Sequence, residues 1–374
     1  MEYIQSPAEL LRMASGLGES QILALDTEAA GYHRYMDRVC LVQLSTRTHT
    51  YVIDALAVRD LEPLAGPLAD PAVETVLHDA DYDLRLLHRD FGLVVRGLFD
   101  TKLAAQLLGE PAIGLASLVS KYLGVQLEKK HQRADWAKRP LPPELLEYAA
   151  EDTRHLPALR DALREALIAA GRLHWAEEEF RIAESVRWTP AGNGEDAYLR
   201  IKGTRDLTPR QLAALREVYA WREDAARSRD VAPFRVLSNE AMIEIARRLP
   251  ATSNELAAIP GVGRAVVGRS GVELLRAIER ARSIPESELP TRPRGPRRPA
   301  PDPAFDARVE RLRTARDRAA DALGLDRGFF MPRAQLEEIA RLCPGSLEEL
   351  ARVPEMRKWQ IEAAGTLLLE ALAE

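Results

Sequence analysis

Cysteine is scarce in this sequence, and long hydrophobic runs are missing from it. The 374 residues include only two cysteines, Cys40 and Cys343, which argues against a disulfide framework and against a cysteine-based zinc site. No apolar run approaches the roughly 18 residues that a membrane helix needs. The N-terminal segment lacks the basic, apolar and small-residue regions of a signal peptide. We therefore expect a cytoplasmic protein that does not associate with membranes.

An excess of positive charge is missing as well. The formal net charge is −5, so any basic surface that binds a polyanion must be local. The composition, 46% hydrophobic and 29% charged, is that of a globular protein. The length favours two or three domains over one.

The first part of the chain alternates predicted strands with predicted helices. Short apolar runs predict strands at 22–26, 41–44, 51–53 and 73–77, and helical spacing covers 81–88, 99–108, 115–123 and 143–167. Interleaved strands and helices predict an α/β layer fold with a mixed sheet.

From about residue 207 the predicted strands stop, and the chain is all-helical. Thr208 and Ser238 are predicted helix N-caps, and Pro209 takes the first helical position. A segment rich in proline and arginine near 285–303 has the composition of a stiff linker. Residues 242–260 and 336–354 align without a gap at an offset of 94, which predicts two copies of one small helical domain.

Four acidic residues occupy positions that bring carboxylates together. Asp26 and Glu28 are two apart on a predicted strand, so both point to the same side. Tyr148 and Asp152 are four apart on a predicted helix and share a face. Asp83 opens another helix. Converging carboxylates suit Mg²⁺ or Mn²⁺, and a pair of such ions supports phosphodiester chemistry.

Each of these features has a simpler explanation when it is taken alone. An isolated Asp-x-Glu is usually a solvated strand end. Asp83 could simply be an acid at a helix N-terminus that interacts favourably with the helix dipole, and Tyr148 with Asp152 could be a surface pair. Four acids in this order, with a tyrosine at a fixed position, favour a catalytic site over those explanations.

The three segments that carry these acids resemble the motifs of the DEDD 3′→5′ exonucleases. The segments are Leu-Asp-Thr-Glu at 25–28, His-Asp-Ala-Asp-Tyr-Asp at 78–83 and Tyr-Ala-Ala-Glu-Asp at 148–152, and Tyr148 is typical of the tyrosine subtype. Asp-Trp-Ala-Lys-Arg-Pro-Leu at 135–141 is similar to the form found in the ribonuclease D family. Segments 221–227, 231–233, 236–240 and 259–263 resemble an HRDC domain.

The resemblance implies a fold and a division of the chain. It implies a ribonuclease H-like α/β exonuclease domain, with a mixed sheet flanked by helices, followed by two all-α HRDC-like domains. The corresponding ranges are 1–170 for the exonuclease domain, 171–204 for a connector, 205–284 for the first HRDC domain, 285–303 for the linker and 304–374 for a degenerate second copy.

The resemblance also implies a mechanism and a set of catalytic residues. Asp26, Glu28 and Asp152 would hold one divalent ion, Asp26 would bridge to a second ion supported by Asp83, and Tyr148 would orient the attacking water. The two ions, Mg²⁺ or Mn²⁺, would lie roughly 3.5–4 Å apart. The enzyme would be a hydrolase that releases nucleoside 5′-monophosphates from RNA with a free 3′-OH end, with tRNA precursors as the expected substrate.

Several further residues are candidates for contacts with the substrate. Thr27 and His78 are candidates for holding the terminal nucleotide, although a histidine at a strand end is more often simply packed. A basic segment before the third motif and a glycine turn in the first HRDC-like domain are candidates for phosphate contacts. These candidates are Lys129, Lys130, Arg133, Trp136, Lys138, Arg139, Gly261, Gly263 and Arg264. Such a basic segment is equally often only a solvated loop, and most Gly-x-Gly turns are merely turns.

Three positions depart from the family pattern. The second copy has Glu355 and Arg357 in place of Gly261 and Gly263, so we expect the glycine turn to be lost there. Ala29 stands where the family usually has a bulky residue near the terminal nucleotide. Tyr32 or Tyr35 could supply the stacking surface instead.

Two alternatives stay open at this point. The same chemistry could act on DNA, because recognition of the 2′-OH has no linear signature. The chain could also be an inactive nucleic-acid adaptor, but such proteins usually lose one of the acids, and all four are present. We infer no obligate protein partner. We expect truncation after about residue 200 to leave the active site intact and to weaken binding to structured RNA.

Overall fold

The computed structural model of the protein describes residues 1–17, 20–128, 130–190, 194–292 and 302–373. By their contacts these residues form two units. The first unit comprises the described residues of Met1–Glu28, Val39–Trp188 and Pro299–Glu374, and the second comprises those of Ala29–Arg38 and Thr189–Arg298. None of the helices in the described ranges combines the length and the apolar character that a membrane crossing requires.

A six-stranded sheet is the centre of the first unit, counted over the described residues. Its strands, in chain order, are β1 (Glu2–Ile4), β2 (Ile22–Ala29), β3 (Val39–Ser45), β4 (Thr50–Asp54), β5 (Glu74–Leu77) and β6 (Leu98–Asp100). Their order across the sheet is β1-β4-β3-β2-β5-β6. β3 and β4 pair antiparallel, whereas β1 with β4, β2 with β5 and β5 with β6 pair parallel. The sheet is therefore mixed, as predicted.

Helices flank this sheet. They are α1 (Pro7–Leu17), α2 (Ala55–Val58), α3 (Ala65–Ala69), α4 (Asp81–Phe91), α5 (Thr101–Leu107), α6 (Leu115–Leu123), α7 (Pro143–Arg154), α8 (Leu156–Ala169) and α9 (Leu173–Ala183), with a 3₁₀ turn at Glu62–Leu64. Gly92 and Gly124 end α4 and α6 in the left-handed conformation that glycine adopts without strain.

Two local predictions differ from the structure, and some elements have no prediction. The range 99–108 was predicted as one helix, but β6 occupies its start, and β6 is held by parallel pairing of Phe99 with Val76 rather than by its own short sequence. The predicted helix 143–167 breaks at His155, because Pro157 near the start of α8 has no N–H to continue the ladder. β1, α1, α2, α3 and α9 were not predicted.

The second unit contains the helices α10 (Pro209–Arg229), α11 (Pro233–Val236), α12 (Asn239–Arg248), α13 (Ser253–Ala257) and α14 (Gly263–Ser283), and 3₁₀ turns at Gly194–Arg200, Thr204–Asp206 and Glu286–Glu288. Thr208 caps α10 in a capping box with Gln211, and Ser238 caps α12, as predicted from the sequence. Leu215, Ile245 and Leu274 belong to its apolar core.

The last five helices lie in the first unit. They are α15 (Pro303–Leu323), α16 (Arg327–Phe330), α17 (Arg333–Leu342), α18 (Leu347–Leu350) and α19 (Lys358–Ala373). Their buried side chains share one apolar cluster with residues of α5, α8 and α9, including Leu163 and Trp175 on one side and Leu336 and Trp359 on the other. The second helical repeat and the α/β domain therefore have a common core.

Candidate active site

Strand β2 presents two of the acidic residues. Leu23, Ala24 and Leu25 of this strand are fully buried between the flanking layers. Asp26 and Glu28 follow at alternate positions, so their side chains point to the same face. Both residues are half-buried.

Helix α7 brings the third acid to the same place. Ala149 and Ala150 are completely buried, and their small side chains let the helix approach the sheet closely. The hydroxyl oxygens of Thr153 and Ser45 lie 2.8 Å apart, a buried hydrogen bond that ties α7 to β3. Carboxylate oxygens of Asp26, Glu28 and Asp152 all lie within 4.8 Å of one another.

The fourth acid, Asp83, lies in the first turn of α4 and is buried. The Thr27 hydroxyl donates a hydrogen bond of 2.5 Å to it. The turn before α4 is fixed by the buried Asp100, whose carboxylate accepts the N–H groups of Asp79 at 3.2 Å and of Ala80 at 2.8 Å. Asp83 is thus oriented both from β2 and from the end of β6.

The carboxylates of this cluster resist ionisation. Burial, and then the charges of Asp83, Asp152 and Glu28, hold the pKa of Asp26 well above its ordinary value. Burial also raises the pKa of Asp83 and of Asp152 to about 7, and the pKa of Glu28 rises in the same direction. No described lysine or arginine forms an ion pair with any of the four acids. Mutually repelling carboxylates without a basic partner favour a bound cation.

Tyr148 is held at the edge of the cluster by two aromatic side chains. Trp136 stacks against its ring with centroids 6.2 Å apart and planes inclined by 24°, and His131 meets it edge-on at 5.5 Å. Burial, and then the charges of Asp152, Glu28 and Asp26, raise the pKa of the Tyr148 phenol. The phenol therefore stays protonated and can donate a hydrogen bond at neutral pH.

The residues predicted to contact phosphate differ in their surroundings. Lys130, Arg133 and Lys138 are exposed, and Lys130 pairs with Glu128 at 3.1 Å. Lys129 lies outside the described residues. Trp136 is only 2% exposed, so it supports Tyr148 and is not open to a substrate.

Arg139 is engaged within the protein. Its Nε and Nη2 bind the buried Asp54 carboxylate at 2.6 and 2.7 Å, and its other donors reach the carbonyl oxygens of Trp136, Lys138 and Cys40. Burial raises the pKa of Asp54, but the hydrogen bonds from Arg139 and Tyr3 outweigh it, so this pKa lies below its ordinary value. These contacts favour a structural role for Arg139 over a phosphate contact.

Thr27 and His78 also have partners inside the first unit. Thr27 binds Asp83, as described above. Thr101 donates its hydroxyl hydrogen to the Leu77 carbonyl oxygen at 3.1 Å, so the contact of 2.9 Å between His78 Nδ1 and Thr101 Oγ1 requires a proton on Nδ1. Burial lowers the pKa of His78, so the ring is neutral. A role for either residue at the terminal nucleotide stays a prediction.

The remaining predicted residues lie in the second unit. Gly261 and Gly263 both have positive φ, at 84° and 56°, and Arg264 beside them is exposed. Among the aromatic candidates, Tyr32 lies under the Arg235 guanidinium at 4.9 Å, and Tyr35 lies under that of Arg227 at 5.2 Å.

Sequence reasoning did not single out three residues that shape this site. Asp100 fixes the turn before Asp83, His131 contacts the Tyr148 ring, and Ser45 anchors α7. Asp100 had a recognisable signal, because it precedes a helix and caps α5 through the N–H groups of Lys102 and Leu103. The other two depend on residues more than ten positions away and have no local signature.

Comparison with known proteins agrees with this geometry. A family model described as 3′-5′ exonuclease matches residues 1–168, and one described as HRDC domain matches residues 211–278 and 305–372. Ribonuclease D of Granulibacter bethesdensis is 35% identical over 84% of this chain and 80% of its own length. Ribonuclease D of Pseudomonas paraeruginosa is 33% identical over 100% of this chain and 97% of its own length.

A solved structure shows the same similarity. The crystal structure of Escherichia coli RNase D, described as an exoribonuclease involved in structured RNA processing, has a TM-score of 0.71 and 27% identity, and the match covers 99% of this chain and 98% of that one.

Fold, acidic cluster and matched domains together define a 3′→5′ exonuclease with two HRDC domains. The chain belongs to the ribonuclease D family of 3′→5′ exoribonucleases. The predicted fold class, family and enzyme class are confirmed.

Proposed function

We propose that this protein removes nucleotides one at a time from the 3′-OH ends of RNA, with tRNA precursors as substrates, and releases nucleoside 5′-monophosphates by a two-metal-ion mechanism. The observation that carries the proposal is the convergence of Asp26, Glu28 and Asp152 oxygens within 4.8 Å of one another. We also propose a cytoplasmic location. The predicted domain boundaries, which end the exonuclease domain at residue 170, the connector at 204, the first HRDC domain at 284 and the linker at 303, stay a prediction.

The donor set fits divalent cations. All of the candidate ligands are hard carboxylate oxygens, and their pKa values are raised by burial first and by neighbouring negative charge second, a charge that a cation would neutralise. Asp26, Glu28 and Asp152 would hold one ion, and Asp26 with Asp83 would support the second. Bound in this way, two ions would activate a water molecule and stabilise the leaving 3′ oxygen.

The side chains of the chain itself have separate tasks in this proposal. The Thr27 hydroxyl fixes the orientation of Asp83. Tyr148, protonated and backed by the buried ring of Trp136, donates a hydrogen bond that orients the attacking water. No strong general base is needed from the protein. The exposed Lys130, Arg133 and Lys138 provide charge for the phosphate backbone, and this part of the binding would weaken with salt.

The first test is a time course on 5′-labelled single-stranded RNA with a free 3′-OH, run with Mg²⁺, with Mn²⁺ and with EDTA. We expect a ladder that shortens from the 3′ end and disappears with EDTA. A matched substrate ending in a 3′-phosphate controls for end recognition. Persistence of the ladder in EDTA would contradict the metal-dependent mechanism.

Substrate choice needs two further comparisons. Matched DNA and RNA oligonucleotides tested side by side would distinguish the two polymers, and faster loss of DNA would reject the RNA proposal. A tRNA precursor with a 3′ extension, tested against an unstructured RNA of equal length, would report on tRNA processing. Equal rates on both would show that tRNA structure is not recognised.

A further inference from the structure

The two helical repeats have the same architecture at an offset of 94 residues. Helices α10 to α14 and α15 to α19 correspond, and the first four helices of each repeat begin at positions that differ by exactly that offset. Each repeat buries one arginine that donates to a carbonyl oxygen fifteen residues further on, Arg222 to Leu237 and Arg316 to Met331. The two repeats can therefore be compared position by position at this offset.

The turn before the last helix is the main difference. In the first repeat Gly261, Gly263, Arg264 and Ala265 are all exposed at the start of α14. In the second repeat the position of Ala265 is taken by Trp359, which is 1% exposed. The position of Ala265 and Trp359 is therefore exposed in the first repeat and buried in the second, whereas Glu355 and Lys358 are exposed, as Gly261 and Arg264 are.

The left-handed turn persists in the second repeat although its glycine is gone. Glu355 has a φ of 62°, where Gly261 has 84°, but Arg357 does not share the positive φ of Gly263, so the expected loss of the turn is wrong at the first of these two positions only. A glutamate in this region is strained. The Glu355 carbonyl oxygen accepts hydrogen bonds from Gln335 at 3.3 Å and from Arg357 at 2.7 Å, and these contacts hold the strained residue in place.

Two glutamates of α9 in the exonuclease domain cover this turn. The Glu178 carboxylate accepts the backbone N–H groups of Lys358 at 2.9 Å and of Trp359 at 3.1 Å. Glu179 accepts the Trp359 indole N–H at 2.7 Å and Arg357 Nε at 3.1 Å. These acids satisfy N–H groups at the start of α19 and lie at the positive end of its dipole.

Apolar and backbone contacts continue this interface. Trp175 of α9 stacks on Trp359 with centroids 5.2 Å apart and planes inclined by 27°. Arg172 donates hydrogen bonds of 2.7 Å to the carbonyl oxygens of both Leu107 and Leu323.

Two glycines mark a close backbone approach of the two parts. A Cβ built on Gly109 would lie 2.1 Å from the carbonyl oxygen of Gly324, so the two backbones touch there and no larger residue fits without movement. The interface is therefore closely packed at the backbone as well as at the side chains.

We infer that the second HRDC repeat has become an internal docking module: the backbone N–H groups at the start of α19 and the Trp359 side chain bind α9 of the exonuclease domain, stabilise that domain and are not available to nucleic acid. The inference does not depend on which polymer the enzyme degrades. Its partner is this chain's own Glu178–Glu179 pair and Trp175.

Substitution of both glutamates in the full-length chain tests the docking. Glu178→Ala with Glu179→Ala should lower the Tm by roughly 4–10 °C, through lost charge-assisted hydrogen bonds. Amide hydrogen exchange should rise in α9 and at the start of α19 and stay unchanged in α10–α14. Glu177→Ala, at an exposed position of the same helix, is the matched control and should change neither quantity. An unchanged Tm with unchanged exchange in the double variant would overturn the inference.

A second experiment keeps the inference testable if the double variant does not fold. Lys358 is exposed and corresponds to Arg264 in the first repeat, so its replacement carries little risk for folding. Lys358→Ala should leave the Kd for a 3′-phosphorothioate RNA within twofold of the original value, and that RNA should not protect the amides of 355–362 from exchange. A loss of affinity above fivefold, or protection of those amides, would show that the turn binds RNA.

Discussion

The Thr27 hydroxyl donates a hydrogen bond of 2.5 Å to Asp83 and so connects the first acidic motif to the second. This bond lowers the pKa of Asp83, which burial has raised to about 7. Asp83 can ligate a cation only when it is ionised. The bond to Thr27 would therefore extend the pH range in which the site binds the proposed ions.

Replacement of Thr27 by the isosteric valine should narrow that range. Without the donor the pKa of Asp83 rises further, so the acid limb of the pH–rate profile at subsaturating Mn²⁺ should move up by roughly one pH unit. Thr75→Val is a matched control, because the buried Thr75 hydroxyl has no hydrogen-bond partner among the described residues. An unmoved acid limb in Thr27→Val would mean that Asp83 does not limit metal binding.

Asp26→Asn should abolish turnover and leave RNA binding largely intact. It removes the ligand that we place between the two ions, without changing the exposed basic residues. Turnover measured on labelled RNA, and affinity measured by anisotropy in EDTA, would test both parts. RNA degradation at the original rate would contradict the assignment of Asp26.

Asp26→Asn should also change how the stability of the folded protein depends on pH. Folded-state pKa values of these carboxylates lie above their unfolded values, so the folded protein binds more protons, and stability falls as pH rises from about 4 through 7. The free energy of unfolding of the metal-free protein should fall by on the order of a few kcal/mol over this pH range. Asp26→Asn should reduce this loss, and added Mn²⁺ should raise the Tm of the original protein but not of the variant. Thermal unfolding in EDTA and in Mn²⁺ at several pH values measures both effects.

Arg139→Ala should reduce stability rather than RNA affinity. It would leave Asp54, which is 1% exposed, without its ionic partner, although the Tyr3 hydroxyl would still donate to it at 2.7 Å. We expect the free energy of unfolding to fall by about 2–4 kcal/mol. Urea unfolding and RNA affinity should be compared with those of the exposed Lys138→Ala. If Arg139→Ala weakened RNA binding and left stability unchanged, the original prediction of a phosphate contact would be right.

The parts of the site that the sequence predicts are those with short-range geometry. Asp26 and Glu28 follow strand alternation, and Tyr148 and Asp152 follow one helical turn, so spacing alone indicates which side chains share a face. That the two pairs meet at one point was inferred from the combination of four acids and a tyrosine and from the family resemblance, because spacing within one element cannot show it.

The contacts that the sequence does not predict join distant residues. The partners in the Arg139–Asp54 pair are 85 positions apart, and their types have no distinctive spacing. Glu178 and Glu179 belong to a run of three glutamates that has the pattern of an ordinary solvated helix face. Their role depends on a helix that begins 180 residues later, and only the fold brings that helix to them.

Deletion of the second helical repeat should destabilise the exonuclease domain. The shared core argues against our expectation that truncation after about residue 200 leaves the active site intact. A chain that ends at residue 292 would expose Trp175 and the half-buried Leu173, both of which belong to the common apolar cluster or pack against it. We expect a lower Tm and increased binding of the dye ANS. Adding Leu173→Glu and Trp175→Gln to the truncated chain should reduce dye binding. A truncated chain with the original Tm and no dye binding would show that the α/β domain is stable without the repeat.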